Sequence, residues 1–212
     1  YKIYLRNATL YADDMWDAVL EAGKKHNLMV IAPAHHRRIQ AGILSWGQDL
    51  DHEHNPFQCN LGYQVSLSGK GEWAKKGDYI GKQALEKMKA DLKDGHKPYK
   101  LQLVGFEIGG KPIDEYAPDF WLVSPGDGGD PCGFITSPWY HPEKGKNIAM
   151  GYIPFDGTLN PNGFPKWELG KKFKVHLPDI YADEPGVPVD AVTVDVPFTE
   201  SFNANTREVV KG

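Results

Sequence analysis

The sequence predicts an α+β fold: a strand–helix–strand–helix layer followed by a small all-β barrel or sandwich. Three observations predict it. Before residue 95, apolar residues recur at helical spacing in three stretches. At Asp94-Gly95 and His96-Lys97-Pro98 that pattern stops, as it does where a chain turns and passes through a linker. Beyond Pro98, short apolar runs alternate with Gly/Pro turns, the spacing of a closed or sandwiched antiparallel sheet.

Taken in order, Tyr1 to Leu5 alternates aromatic and aliphatic positions and reads as a strand. Residues Ala12 to His26 read as a helix. Met15, Trp16, Val19, Leu20 and Gly23 fall near one face, Asp13 and Asp14 suit its positive N-terminal end, and Lys24, Lys25 and His26 suit the other end. Leu28 to Ile31 reads as a short apolar strand, and Ile39, Ile43 and Leu44 set a second helix from His35 to Leu44. This order is the pattern of a ferredoxin-like α+β layer. Asp78 is placed to cap a third helix over Tyr79 to Leu92, rich in Ala, Leu, Lys and Glu. The strands of the second part are expected at Leu101–Ile108, Phe120–Val123, Gly133–Thr136, Ile148–Ile153, Phe173–Leu177 and Ala191–Val196, with Gly126 to Asp130 as a hairpin turn.

Composition narrows the function. With 24 basic against 28 acidic residues and no basic stripe, the chain lacks the clustered charge that phosphate neutralisation needs, so nucleic acid is not an expected partner. No apolar run approaches the roughly 20 residues that span a bilayer. Cys59 and Cys132 are far apart and read as reduced packing thiols of a cytoplasmic protein. The chain opens inside a strand pattern at Tyr1, which reads as a fragment whose preceding half lies elsewhere.

The most informative stretch is Ala41 to Tyr63: a small-residue pair, Trp46-Gly47, Asp49 and Asp51, Asn55-Pro56, then Leu61-Gly62. In this order it resembles the folate-dependent transferase family of the glycine-cleavage T protein, and most of all its branch of tetrahydrofolate-dependent demethylases, such as the enzyme acting on dimethylsulfoniopropionate. Other segments resemble the same family in register. They are Tyr1 to Leu5, Asp78 to Leu85, Leu103 to Ile108, Gly133 to Pro138, Lys146 to Ile153 and the closing Val196-Pro197-Phe198.

The resemblance implies that residues 1–95 complete a folate-binding α+β domain and residues 97–210 form the family's C-terminal β-barrel. It implies tetrahydrofolate as cofactor and a small methylated substrate as donor, with the catalytic aspartate in a missing N-terminal half. At the family's pterin-binding strand stand Tyr1 and Lys2. The family's glutamate, which accepts bonds from the pterin's amino edge, is replaced by Lys2, a donor. An arginine that the T protein carries eight residues before its glycine falls here on Ala34, which argues against aminomethyl transfer in glycine cleavage. The run His36 to Gly42 resembles the demethylase branch's Glu-Arg-Ile-Glu-Gly-Gly. Within it Arg38 matches a basic residue of both branches, with two readings: a partner for a carboxylate of folate or substrate, or a structural ion pair.

Other chemistries read more weakly. Asp49 and Asp51, at a polar turn, read as residues that satisfy backbone donors rather than as an acid/base couple. His35-His36 and His52-Glu53-His54 lack the three or four spaced ligands of a zinc site, so no metal is expected. Cys59 reads as a packing thiol, and Gly105, Gly109 and Gly110 do not form a dinucleotide fingerprint. Trp46, Trp121, Trp139 and Trp167 read as core and interface residues, one or two of them candidates for a ligand wall. The function expected is one-carbon transfer from a methylated donor, foremost a sulfonium, to tetrahydrofolate. Two alternatives stand beside it: the folate-binding module of a larger methylamine dehydrogenase, and a non-catalytic folate-binding or assembly protein.

Overall fold

Alternating apolar residues in the second half close a sheet on itself. In the computed structural model, which describes residues 4, 6, 8–31, 34–67 and 78–198, six strands form a closed antiparallel barrel in the order β1-β4-β3-β2-β5-β6. They are β1 (Leu101–Ile108), β2 (Trp121–Pro125), β3 (Gly133–His141), β4 (Lys146–Pro154), β5 (Lys172–Val175) and β6 (Val189–Val194). Pairing of β1 with β6, from Gly105 opposite Val194 to Ile108 opposite Ala191, completes the ring.

All six strands lie where the sequence places them, but β3 and β4 run longer. The reason is burial on two faces, which blurs the alternation that marks strand ends. Val104, Phe106, Ile135, Ala149, Phe173 and Val175 fill the barrel interior. On the other face, Leu103, Ile148, Met150 and Tyr152 are covered by Ile39 and Phe198. A third cluster sets Phe57 and Phe155 against Leu92 of α3 (Lys82–Lys93).

The chain divides into two compact units, Tyr1–Ala34 and His35–Gly212. The first carries α1 (Ala8–Gly23), which continues as a 3₁₀ turn over Lys24–His26. The helix starts earlier than expected, so Asp13 and Asp14 lie within it rather than at its end. Leu28 to Ile31 is not a strand. The chain leaves the helix through left-handed Asn27 (φ 53°), Leu28 N–H donates back to Gly23 C=O at 3.1 Å, and the segment finds no ladder partner among the described residues. The expected strand at Tyr1 to Leu5 lies almost wholly outside the described residues.

Two further boundaries differ. The helix α2 spans His35–Gln40 and stops short of Leu44. Gly42 turns left-handed (φ 65°), and Gly42 and Ile43 N–H close onto Ile39 and Arg38 carbonyls. Asp78 does not cap α3. Among the described residues its carboxylate reaches only the Tyr79 N–H, and left-handed Gly81 (φ 89°) delays the helix to Lys82. Among the described residues no helix is long and apolar enough to cross a membrane.

Candidate functional site

The residue that the sequence marks twice over, Arg38, sits where α2 meets the barrel. Its neighbour Ile39 is buried against β4 and pins the helix, so the guanidinium is held over the turn that follows. Arg38 Nη1 donates to Asp49 Oδ2 at 2.6 Å and to Ile43 C=O at 3.1 Å. Its Nη2 donates to Ser137 Oγ at 2.8 Å and to Gln48 Oε1 at 3.3 Å. Nε is enclosed and has no partner among the described residues.

Asp49 is the hub of this junction, its side chain fully withdrawn from solvent. Besides Arg38 it accepts the Ser45 N–H and the hydroxyls of Thr136 and Ser137. Those two hydroxyls reach the same carboxylate because β3 carries a bulge: Ile135 pairs with Gly151 but Ser137 with Met150, which leaves Thr136 as the extra residue. Gln48 adds two bonds, from its amide to Thr136 C=O at 2.8 Å and to Ala117 C=O at 3.3 Å. Tyr152 O–H donates to the Asp49 backbone carbonyl at 2.6 Å, and the Cys59 thiol lies 3.4 Å from the same hydroxyl. Burial pushes the thiol up from its ordinary value, so Cys59 is a protonated packing group and not a nucleophile.

Asp51 does the turn work expected of it. Its carboxylate accepts the Glu53 N–H and contacts His54 Nδ1, both at 2.8 Å, and these bonds hold it below the usual carboxylate range, the Glu53 bond most strongly. Asp49 and Asp51 therefore do different things, and no acid/base couple forms. His35 and His36 pack against Tyr116 and Trp139. Among the described residues no group of three or more His, Cys, Asp or Glu is placed to hold a metal ion. Trp121 joins the barrel core, Trp46 is 69% exposed, and Trp167 borders a cleft. Tyr1 and Lys2 lie outside the described residues. Sequence reasoning missed Thr136, Ser137 and Gln48; the first two were visible only as part of a motif in a strand.

At the end of β3, His141 is 1% exposed, with Nε2 enclosed and without a partner among the described residues. Burial is the main cause that lowers its pKa, with Lys144 and His36 acting the same way and Glu143 opposing. Below about pH 6.5, the ordinary histidine value, the unfolded chain binds a proton that the folded chain refuses. Stability is thus complete above that pH and falls as pH drops. Urea midpoints at pH 7.5 and 5.5 should separate in the parent and converge in His141→Asn; equal separation in both would clear His141 of the effect.

The chain is similar to several known proteins. A family model described as the GCVT N-terminal domain matches residues 1–69. The chain is 29% identical to an aminomethyltransferase of Chloroherpeton thalassium over 148 residues, 69% of this chain and 36% of that protein. A second aminomethyltransferase, of Symbiobacterium thermophilum, is 30% identical over 73% of the chain and 36% of its own length. A dimethylsulfoniopropionate demethylase of Ruegeria pomeroyi is 29% identical over 84% of the chain and 42% of its own length. The glycine cleavage system aminomethyltransferase T of Bartonella henselae superposes with a TM-score of 0.53 at 20% identity, over 77% of this chain and 37% of that one, a likeness of fold. The chain thus spans 36% to 42% of the length of these curated relatives.

Proposed function

We propose, from the kinship of this chain with the glycine-cleavage T protein family, that it forms part of a tetrahydrofolate-dependent one-carbon transferase of the demethylase kind. The observation that carries this reading is the match to both aminomethyltransferases and a demethylase along most of the chain, barrel included. Residues 1–95 would complete a folate-binding domain with a ferredoxin-like layer, and residues 97–210 would be the barrel domain beside it. Tetrahydrofolate, when bound, supplies a nucleophilic nitrogen that accepts the methyl group of a small donor, foremost a sulfonium. The protein's part is positioning, which keeps the nitrogen in line with the electrophilic carbon, while a carboxylate outside this chain manages the proton.

Tyr1 and Lys2 would face the pterin, and Arg38 would act on the cofactor or donor through its position. Four hydrogen bonds engage its two terminal nitrogens, which makes it the strut of the Ala41-Gly42 turn. Its Nε is enclosed, so Arg38 would serve the site by holding this turn rather than by touching a ligand. Lys2 supports a second reading, a folate-binding protein without turnover, because an ammonium cannot accept the pterin's amino protons.

The test uses the natural polypeptide that contains this chain. Incubated with tetrahydrofolate and dimethylsulfoniopropionate, it should form 5-methyl-tetrahydrofolate, detected by mass. Saturable tetrahydrofolate binding without product from sulfonium, methylamine or methoxy-aromatic donors would support the second reading. Absence of tetrahydrofolate binding would remove both.

A further inference from the structure

Where the pairing of β1 with β6 ends, at Ile108 opposite Ala191, the outside of the barrel carries a groove of about 290 Å³. Its floor is apolar, formed by Ile108, Gly109, Ala191 and Val192, and Glu107, Lys146 and Asp190 stand along it. Phe106, Ile108 and Ala191 fill the barrel interior, so Glu107 and Val192, which alternate with them, point outward.

The rim carries more cations than anions. Glu107 is shared by two ammoniums, Lys146 at 2.7 Å and Lys144 at 3.7 Å. Across the groove, Asp190 is paired with Lys174 at 2.8 Å. That bond first, and Lys172 more weakly, hold the Asp190 carboxyl below the usual carboxylate range. Four ammoniums, those of Lys144, Lys146, Lys172 and Lys174, thus attend two carboxylates. A further carboxylate brought to Lys146, which is 58% exposed, meets a cation whose own partner is already divided. An acidic residue followed closely by a large apolar one therefore matches rim and floor together.

The chain supplies that pattern at the edge of the groove. After β6 it turns back across β1, where an added Cβ on Gly105 would come within 2.6 and 3.2 Å of Val196 and Phe198. Phe198 is buried there with Ile148 and Met150. Glu107 and Lys146 are the next outward residues along β1 and β4 from Gly105 and Ile148, about 7 Å on. Phe198 is followed by Thr199-Glu200-Ser201-Phe202. Extended backbone would set residues 198, 200 and 202 on one side and let residue 202 reach about 13 Å from residue 198. Glu200 then comes within range of Lys146, and Phe202 within range of the floor.

We propose that residues 199–202 dock in this groove, the Glu200 carboxylate between the Lys144 and Lys146 ammoniums and the Phe202 ring on the apolar floor. The segment covers the end of the β1–β6 seam from outside, as Val196 and Phe198 cover Gly105.

The natural polypeptide that contains this chain is treated with a water-soluble carbodiimide, which joins a carboxylate to an amine where the two touch. Tandem mass spectrometry of a digest then locates the links. Glu107–Lys146, in contact at 2.7 Å, is the internal standard. Glu200 should link to Lys144 or Lys146. Phe202→Ala should lower that yield at least about tenfold, the effect expected of one buried phenyl ring, while the standard link shows that the groove is intact. An equal mixture of ¹⁴N and ¹⁵N protein separates links within one chain from links between two copies. The proposal is overturned if the standard forms and Glu200 does not link, or links evenly to lysines away from the groove. It is overturned equally by hybrid-isotope links, which would seat a second copy there, by Glu208 linking in place of Glu200, or by Phe202→Ala leaving the yield unchanged.

Discussion

Asp49→Ala is expected to remove about 3–5 kcal/mol of stability, the cost of leaving a largely buried charge without its partner. The carboxylate is fully withdrawn from solvent and the Arg38 side chain is 16% exposed, so water cannot replace what the substitution removes. Three further donors would lose their acceptor at the same time: the Ser45 N–H and the hydroxyls of Thr136 and Ser137. The measurement is the urea midpoint and slope of each variant. Arg38→Met with Asp49→Leu should cost clearly less than Asp49→Ala alone, because apolar groups of similar volume leave no orphaned charge. A loss of under about 1 kcal/mol in Asp49→Ala would mean that the pair is wet and behaves as an exposed one.

The same junction shows where sequence reading stops. Arg38 and Asp49 each stand out in the sequence, one as a family match and one as a turn aspartate, but their pairing does not. It depends on Thr136 and Ser137, which lie 87 and 88 residues from Asp49 and reach it only through the bulge in β3. A bulge inserts one residue without any change of composition, so period-two patterning passes over it. The barrel strands were legible because Gly/Pro turns punctuate them, and closure follows once six of them must cover their edges. Leu28 to Ile31 was misread for the opposite reason. Apolar β-branched residues favour a strand only where a partner accepts their ladder, and the left-handed exit at Asn27 instead closes the helix. Asp78 looked like a cap by residue type, yet Gly81 three residues on supplies the actual turn.

Gly42→Ala is expected to cost about 2–4 kcal/mol, and two separable causes account for it. The first is conformational: Gly42 has φ 65°, a left-handed backbone that costs an L side chain about 1–2 kcal/mol. The second is steric. A Cβ at this place would be driven into Val196 Cγ1, deep inside van der Waals contact, and overpacking of this kind costs about 1–3 kcal/mol. Gly47 separates the two. It is also left-handed (φ 81°), but an added Cβ there meets nothing within 4 Å, so Gly47→Ala should show the conformational cost alone. Val196→Ala made in the Gly42→Ala background should recover the steric part and leave the rest. Equal losses in Gly42→Ala and Gly47→Ala would mean that the Val196 segment swings aside freely. That outcome conflicts with the hydrogen bond from Phe198 N–H to the Gln40 carbonyl at 2.9 Å, which ties the segment to the end of α2. The small-residue pair of the motif is thus a spacing device: it lets the chain after β6 lie against the turn that Arg38 supports.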